Sequence, residues 1–314
     1  MSKKIETKNL KKYFQTPLGT LHAVDGVSFS VEEGQTIGVV GESGCGKSTL
    51  GRVVIKLLDH TDGEIFFDGE NITHVSKARL RELRWKMQMI FQDPYASVNP
   101  RMTVSQIIAE PLKIAGRLDK AALDGRVAEL METVGLDARY SMTYPHELDG
   151  GRRQRISIAR ALALNPSFIV CDEPVSALDV SIQAQILNLI KDLQDRFGTT
   201  FIFISHNLAV VKYISHSIMV MYLGVSVEQC STEELFKNPL HPYTRALLSA
   251  VPVADIHYEK KEIPIKGELA SPINPPEGCR FAPRCSHASP KCFQQTPQSK
   301  DMGGGHFVAC HLYT

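Results

Sequence analysis

No run of about 18 apolar residues occurs in the 314-residue chain, so no segment reads as a bilayer-spanning helix. The most apolar stretch, Phe201 to Leu223, is interrupted by His206, Asn207, Lys212 and His216. An excess of one charge sign is also missing. Lys+Arg 35 against Asp+Glu 34 leaves +1, which gives no support for broad binding to a nucleic-acid backbone. The N-terminus, MSKKIETKNLKKYF, carries charges without the apolar centre of a signal peptide, so a cytoplasmic chain is expected. There is no internal repeat and no low-complexity tract.

What is present describes an ordinary folded protein. Hydrophobic residues make up 43%, enough for a sizeable core and too many for global disorder. At roughly 150 residues per domain, the length fits two domains, or one large domain with an appendage. Composition changes near residue 235. Ten of 17 prolines lie after it, and Cys279, Cys285, Cys292 and Cys310 cluster in the last 36 residues, whereas Cys45, Cys171 and Cys230 are scattered. The body reads as helix and strand, the tail as turns and extended segments.

In the body, Thr36–Val40 is an apolar strand that runs into glycines, and Lys47–Leu58 has helical apolar spacing. Phe168–Cys171 and Phe201–Ile204 look like strands buried on both faces of a parallel sheet. Between them Ile182, Ile186, Leu189, Ile190, Leu193 and Phe197 line one helical face, which Gly198 is placed to end. The alternation predicts an α/β fold. Glu64–Gly69 reads as a strand entering a turn of a separate antiparallel sheet, and residues 94–150 read as mostly helical.

Gly41-Glu42-Ser43-Gly44-Cys45-Gly46-Lys47-Ser48-Thr49 matches the P-loop pattern G-x-x-x-x-G-K-[ST], between a strand and a helix as that pattern requires. The glycines let successive N–H groups face phosphate oxygens, and the helix presents its positive end to the same anion. Lys47 is expected to reach the β- and γ-phosphates and Ser48 to hold Mg²⁺. Asp172 and Glu173 end a buried strand, where ligand sites of open α/β sheets lie. Asp172 is expected on Mg²⁺ and Glu173 on the attacking water. Against these stand a chance glycine-rich turn and a strand that merely ends in surface acids.

Further motifs resemble the ATP-binding subunits of ABC transporters. Gln92 in Phe91-Gln92-Asp93 is similar to the Q-loop glutamine, which senses Mg²⁺ and water and connects the core to the helical subdomain. Ser176-Ala177-Leu178-Asp179 resembles the D-loop, and His206 in Ser205-His206-Asn207 the switch histidine that contacts the γ-phosphate. The stretches Gln92–Arg101 and Asn238–Thr244 are similar to those of oligopeptide/dipeptide importer ATPases, an architecture that some nickel importers share. The resemblance implies an ABC ATPase core of P-loop NTPase type with an antiparallel β-subdomain and a helical subdomain at about 94–150. It places the ATPase domain at 1–235 and a small cysteine-rich extension at 236–314. An aromatic residue before the first core strand stacks on adenine in this family; Tyr13 and Phe14 are the two options, with the count favouring Phe14.

The resemblance also implies partners: a second ABC ATPase subunit, two membrane permease subunits and, indirectly, an extracytoplasmic substrate-binding protein. The chain would sit on the cytoplasmic face of the membrane and hydrolyse ATP to drive import. A soluble ABC ATPase acting on nucleic acid is disfavoured by the single cassette and the balanced charge, and no nucleic-acid partner is expected. A regulatory subunit that binds ATP with little turnover is the other rival, opposed by Glu173 and His206.

One motif departs from the family. Where the family signature is L-S-G-G-Q, this chain has Leu148-Asp149-Gly150-Gly151-Arg152. The signature of one subunit caps the ATP on its partner's P-loop, so Asp149 replaces a hydroxyl donor with a negative charge. A lost hydrogen bond is worth about 1 kcal/mol. Two like charges about 4 Å apart cost on the order of 4 kcal/mol at an effective dielectric of about 20. Repulsion dominates unless Arg152, Arg153 or Arg155 neutralises Asp149 or Asp149 simply N-caps the next helix. One implication is a heterodimer with unequal ATP sites.

Four cysteines in a turn-rich tail of a cytosolic chain point to a metal rather than disulfides. Their spacing is wide for zinc and within reach of an iron–sulfur cluster. The resemblance of Gly278–Cys285 to the peptide-importer tail implies a four-iron four-sulfur cluster on Cys279, Cys285, Cys292 and Cys310; zinc and free thiols remain alternatives. His287, His306 and His311 read as surface residues.

Overall fold

The computed structural model describes residues 2–116, 118–251, 263–265, 267 and 271–313. The chain divides into two compact units. The first comprises residues 1–32, 36–74 and 203–314, the second 33–35 and 75–202. Residues beyond 235 therefore belong to the same unit as the N-terminus, whatever the compositional change there.

The first unit opens with two long strands, β1 (Lys3–Thr16) and β2 (Gly19–Glu32). Then come β3 (Thr36–Val40), α1 (Lys47–Val54), β4 (Asp62–Phe67) and β5 (Glu70–Asn71). The sheet β2-β1-β4-β5 is antiparallel throughout, as expected from Glu64–Gly69. Ile5, Leu10, Val24, Val27, Phe29, Ile65 and Phe67 are buried. Helix α1 is shorter than its apolar spacing predicts. Lys56 adopts φ 58°, and its Nζ donates to Thr73 O at 2.9 Å, so the chain turns out of the helix.

The second unit contains α2 (Lys77–Lys86), β6 (Met87–Ile90), α3 (Val104–Ala115), α4 (Lys120–Thr133), α5 (Gly150–Leu162), β7 (Phe168–Asp172) and α6 (Val180–Phe197). The pair β6–β7 is parallel, and β7 is buried along its whole length. Helix α3 starts with a Thr103–Gln106 capping box and ends at Gly116, φ 65°. Helix α6 ends at Gly198, φ 63°, where the sequence placed the stop. Among the described residues of 94–150 there is no strand, in keeping with the helical expectation.

Within β8 (Thr200–Ile204) the chain passes back to the first unit. There follow α7 (Leu208–Ile214), β9 (Ser217–Tyr222), β10 (Val225–Ser231), α8 (Thr232–Lys237), α9 (Pro242–Ser249), α10 (Pro290–Gln294) and the short strands β11 (Lys300–Asp301) and β12 (Phe307–Val308). Strand β3 pairs parallel with β9, and β9, β10, β12 and β11 then pair antiparallel in turn. The tail is thus held by strand pairing. His306 is a correction to its surface reading. It is 4% exposed, with Nε2 at 2.8 Å from Glu228 Oε1. Among the described residues no helix is long and apolar enough to cross a membrane.

Candidate functional site

In the first unit, β3 delivers the chain into the glycine-rich loop. A β-carbon on Gly46, φ 99°, would stand 1.9 Å from Ala23 O, and one on Gly41 would stand 2.2 Å from Met221 O. Only glycine fits at either point. Helix α1 begins at Gly46 with no side-chain cap and no acid in its first turn, which leaves its positive end for an external anion. Lys47 is buried. Its Nζ donates to Gly41 O at 2.8 Å and Glu42 O at 2.9 Å, and lies 3.7 Å from Cys45 Sγ. The ammonium is thereby folded over the loop it would share with a phosphate. Ser48 and Thr49 lie in the first turn of α1. Ser43 and Gly44 form the loop's tip, where a β-carbon on Gly44 would meet nothing within 4 Å. His206 is exposed in the corner between β8 and α7. The preceding Ser205 N–H donates to Val39 O at 3.2 Å, so this corner lies beside the end of β3.

The two aromatic options differ in their surroundings. Tyr13 stacks on His22, ring centroids 4.0 Å apart, and its hydroxyl donates to Asp25 Oδ1 at 2.5 Å. Burial first, then this hydrogen bond, pushes the Tyr13 phenol well above its ordinary range. Phe14, the next residue in the strand, carries the Lys12 ammonium 4.8 Å from its ring centroid.

In the second unit, Asp172 is fully buried at the end of β7. Glu173 follows at φ 47°, a left-handed conformation that costs a non-glycine residue energy and marks the strand's exit. Gln92 Nε2 donates to Glu173 Oε2 at 3.3 Å, so the two residues the sequence singled out 81 positions apart do meet. Glu173 O also accepts from Ser176 Oγ at 3.1 Å, which starts the turn Ser176-Ala177-Leu178-Asp179. Asp93 Oδ1 accepts the N–H groups of Tyr95 and Ala96, and Arg160 ties this segment to α3. Its Nη1 donates to Ser97 O at 2.7 Å and its Nη2 to Glu110 Oε2 at 2.9 Å.

The departing signature has a local explanation. Asp149 N-caps α5, Oδ1 accepting the Arg152 N–H at 2.8 Å, while Oδ2 pairs with the Arg152 guanidinium. Arg152 in turn lies 4.9 Å from the Tyr140 ring centroid. Arg153 and Arg155 are engaged elsewhere, on Leu148 O and Val134 O. The signature helix lies against the turn after Glu173. A β-carbon on Gly150 would meet Leu178 Cδ2 at 3.1 Å, and one on Gly151 would meet Ile182 Cγ2 at 2.7 Å.

The cysteine cluster does not stand as a metal centre. Among the described residues no group of three or more His, Cys, Asp or Glu could hold a metal ion, so neither the iron–sulfur cluster nor zinc at Cys279, Cys285, Cys292 and Cys310 is supported. Burial pushes the Cys279 thiol up to about 11 and raises those of Cys285 and Cys310. None of the four cysteines is in a disulfide.

Sequence reading missed the residues that hold the phosphate loop from outside. Tyr243 Oη accepts the Glu42 N–H at 2.9 Å, and Arg284 Nη1 donates to Glu42 Oε2 at 2.7 Å. Arg280 pairs with Asp25 and donates to Leu223 O. A lone tyrosine or arginine in a turn-rich tail carries no signal of its own.

Comparison with known proteins gives the same picture. A family profile described as ABC transporter matches residues 24–176, and one described as oligopeptide/dipeptide transporter, C-terminal region, matches 227–292. The oligopeptide transport ATP-binding protein AppF of Bacillus subtilis is 51% identical, over 99% of this chain and 97% of that protein. The dimeric ATP-binding cassette MJ0796, solved in a post-hydrolysis state bound to ADP and Pi, superposes with a TM-score of 0.67 at 27% identity, over 73% of this chain and 98% of that one. Clostridium perfringens cbiO1, part of the ABC transporter complex cbiONQ, gives 0.68 at 25% identity, over 76% and 92%.

Proposed function

The chain belongs to the ABC transporter family, among the ATP-binding proteins of oligopeptide transport, and from that premise we propose that it is the subunit whose ATP hydrolysis powers a peptide importer. Its fold is the ABC ATPase fold, and the family's chemistry is ATP hydrolysis coupled to transport. A peptide-importer ATPase works with membrane permease subunits, which fits a peripheral place at the cytoplasmic face. The cargo is never in contact with this subunit, so oligopeptide, dipeptide, nickel or another small solute is decided elsewhere. Residues 1–235 form the proposed ATPase domain and 236–314 its extension.

The observation that carries the proposal is the phosphate loop, with glycine enforced at Gly41 and Gly46 and Lys47 folded over it. In this reading the backbone N–H groups of Gly41–Thr49 and the Lys47 ammonium take the β- and γ-phosphates. Phe14 stacks on adenine, since the Tyr13 hydroxyl is engaged with Asp25. By the family resemblance, Ser48 of the first unit and Gln92 and Asp172 of the second each carry the hard oxygen that would suit Mg²⁺, which would supply neutralisation of phosphate charge. Glu173, oriented by Gln92, accepts the proton of the attacking water, and His206 contacts the γ-phosphate. Positioning and electrostatics of this kind are what phosphoryl transfer demands. Calorimetric titration of the full chain with Mg²⁺–ATP tests the reading: saturable binding that Lys47→Ala abolishes is expected, and no saturable binding by folded wild-type chain would end it.

A second reading rests on Asp149. We infer a heterodimer in which the ATP capped by this chain's signature turns over more slowly than the ATP on its own P-loop. Asp149 carries negative charge where the family has a hydroxyl, though its cap and the Arg152 pair spend much of that charge locally. Replacing each P-loop lysine of the assembled transporter separately tests this, and equal losses would remove the asymmetry.

A further inference from the structure

The tail reaches both flanks of the phosphate loop from one short segment, residues 280–284. On one flank, Arg284 Nη1 donates to Glu42 Oε2 at 2.7 Å, and the same nitrogen lies 3.4 Å from Tyr222 Oη. On the other, Arg280 pairs with Asp25 and donates to Leu223 O. Gly224, the next residue, donates to Cys45 O of the loop at 2.9 Å, and its own carbonyl accepts the Asp25 N–H at 2.8 Å. Between the two arginines Phe281, 3% exposed, is wedged into Tyr222 and Tyr243, ring centroids 5.2 and 5.3 Å away. Tyr243, fully buried, takes the Glu42 N–H on its hydroxyl.

Glu42 is the feature that needs this arrangement. It puts a carboxylate in a loop built to receive an anion, and an unpaired carboxylate there would repel a triphosphate. It also tethers the loop, since both its backbone N–H and its side chain are bonded to later segments of the chain. Resting on the nucleotide binding proposed above, we propose that Arg284 is a positioning residue for phosphate binding: it neutralises and tethers Glu42, and through it the C-terminal tail sets the chain's affinity for nucleoside polyphosphates.

The test is titration of the full chain with Mg²⁺–ATP and Mg²⁺–ADP, with melting temperature recorded for each variant. Arg284→Gln, which keeps most of the side-chain volume, is expected to weaken both nucleotides by about tenfold, the scale of one charge-assisted hydrogen bond. Arg284→Lys restores most of that loss. The double variant Arg284→Gln with Glu42→Gln binds more tightly than Arg284→Gln alone, because the uncompensated charge is gone. Affinity within twofold of wild type for Arg284→Gln overturns the proposal. So does an equal loss in the Lys and Gln variants, which would mean shape rather than charge. A lowered melting temperature with unchanged affinity assigns Arg284 to stability alone and overturns it as well. Wild-type chain that binds neither nucleotide would remove the underlying function too, an outcome distinct from the other three.

Discussion

The Gln92 side-chain amide donates to the Glu173 carboxylate at 3.3 Å, joining a loop after β6 to the end of β7. Glu173 itself sits at φ 47°, so its placement is held against local preference. Glu173→Gln is expected to lower turnover by about 10²–10⁴-fold, the usual range for loss of a general base, while Mg²⁺–ATP binding persists. Single-turnover hydrolysis by the assembled transporter reads the first quantity and calorimetry the second. Undiminished turnover would remove Glu173 from the chemistry.

Asp149 offers a separable pair of effects. Asp149→Ala deletes the cap of α5 and unpairs Arg152, and should cost about 1 kcal/mol of stability, read by denaturant melts. Asp149→Ser keeps a capping oxygen and should stay within about 0.5 kcal/mol of wild type. In a transporter whose only intact P-loop is the partner's, Asp149→Ser is expected to raise ATP turnover. Unchanged or lower turnover in that background would show that Asp149 does no more than cap.

Gly46→Ala tests the loop. The added methyl meets the Ala23 carbonyl in a left-handed backbone, a strain of about 1–3 kcal/mol before any clash is relieved. Nucleotide binding should be lost with the β1–β2 sheet still folded, as reported by circular dichroism and calorimetry together. Normal binding would mean that the loop tolerates what its geometry forbids.

The phosphate loop's support is expected to weaken in acid through His241. It is 1% exposed, its Nδ1 accepts the Tyr243 N–H as the cap of α9, and burial depresses its pKa to about 3. A folded pKa below the unfolded value of about 6.5 favours the neutral ring in the native state. Its stabilisation is therefore complete above pH of about 6.5 and is lost as pH falls toward 3, with a slope of up to about 1.4 kcal/mol per pH unit. His241→Asn, which caps without titrating, should flatten the acid limb of stability measured by urea melts across that window. An unchanged limb would place the acid sensitivity elsewhere.

Much of this was legible in the chain because local rules and function coincide. Thr36–Val40 is apolar enough to be buried, its glycines match a phosphate-binding turn, and Gly198 ends α6 as its position implied. The contacts that escaped are long-range. Tyr243 and Arg284 lie 201 and 242 residues from Glu42, and single tyrosines and arginines announce no partner. His306 was misread for the same reason, since the Glu228 that buries it is 78 residues away. The cysteines show the opposite error. Their crowding in sequence implied a shared ligand, but among the described residues no group of three or more His, Cys, Asp or Glu could hold a metal ion, and crowding along a chain does not by itself make a coordination sphere.

The bonds from Glu42 to Tyr243 and Arg284 also bear on how the molecule comes into being. A ribosome delivers the glycine-rich loop early and both of its external supports late. Until Tyr243 and Arg284 emerge, the nascent polypeptide carries the motif without this bracing, so a chain cut short of Arg284 is expected to take up nucleotide more weakly than the full chain.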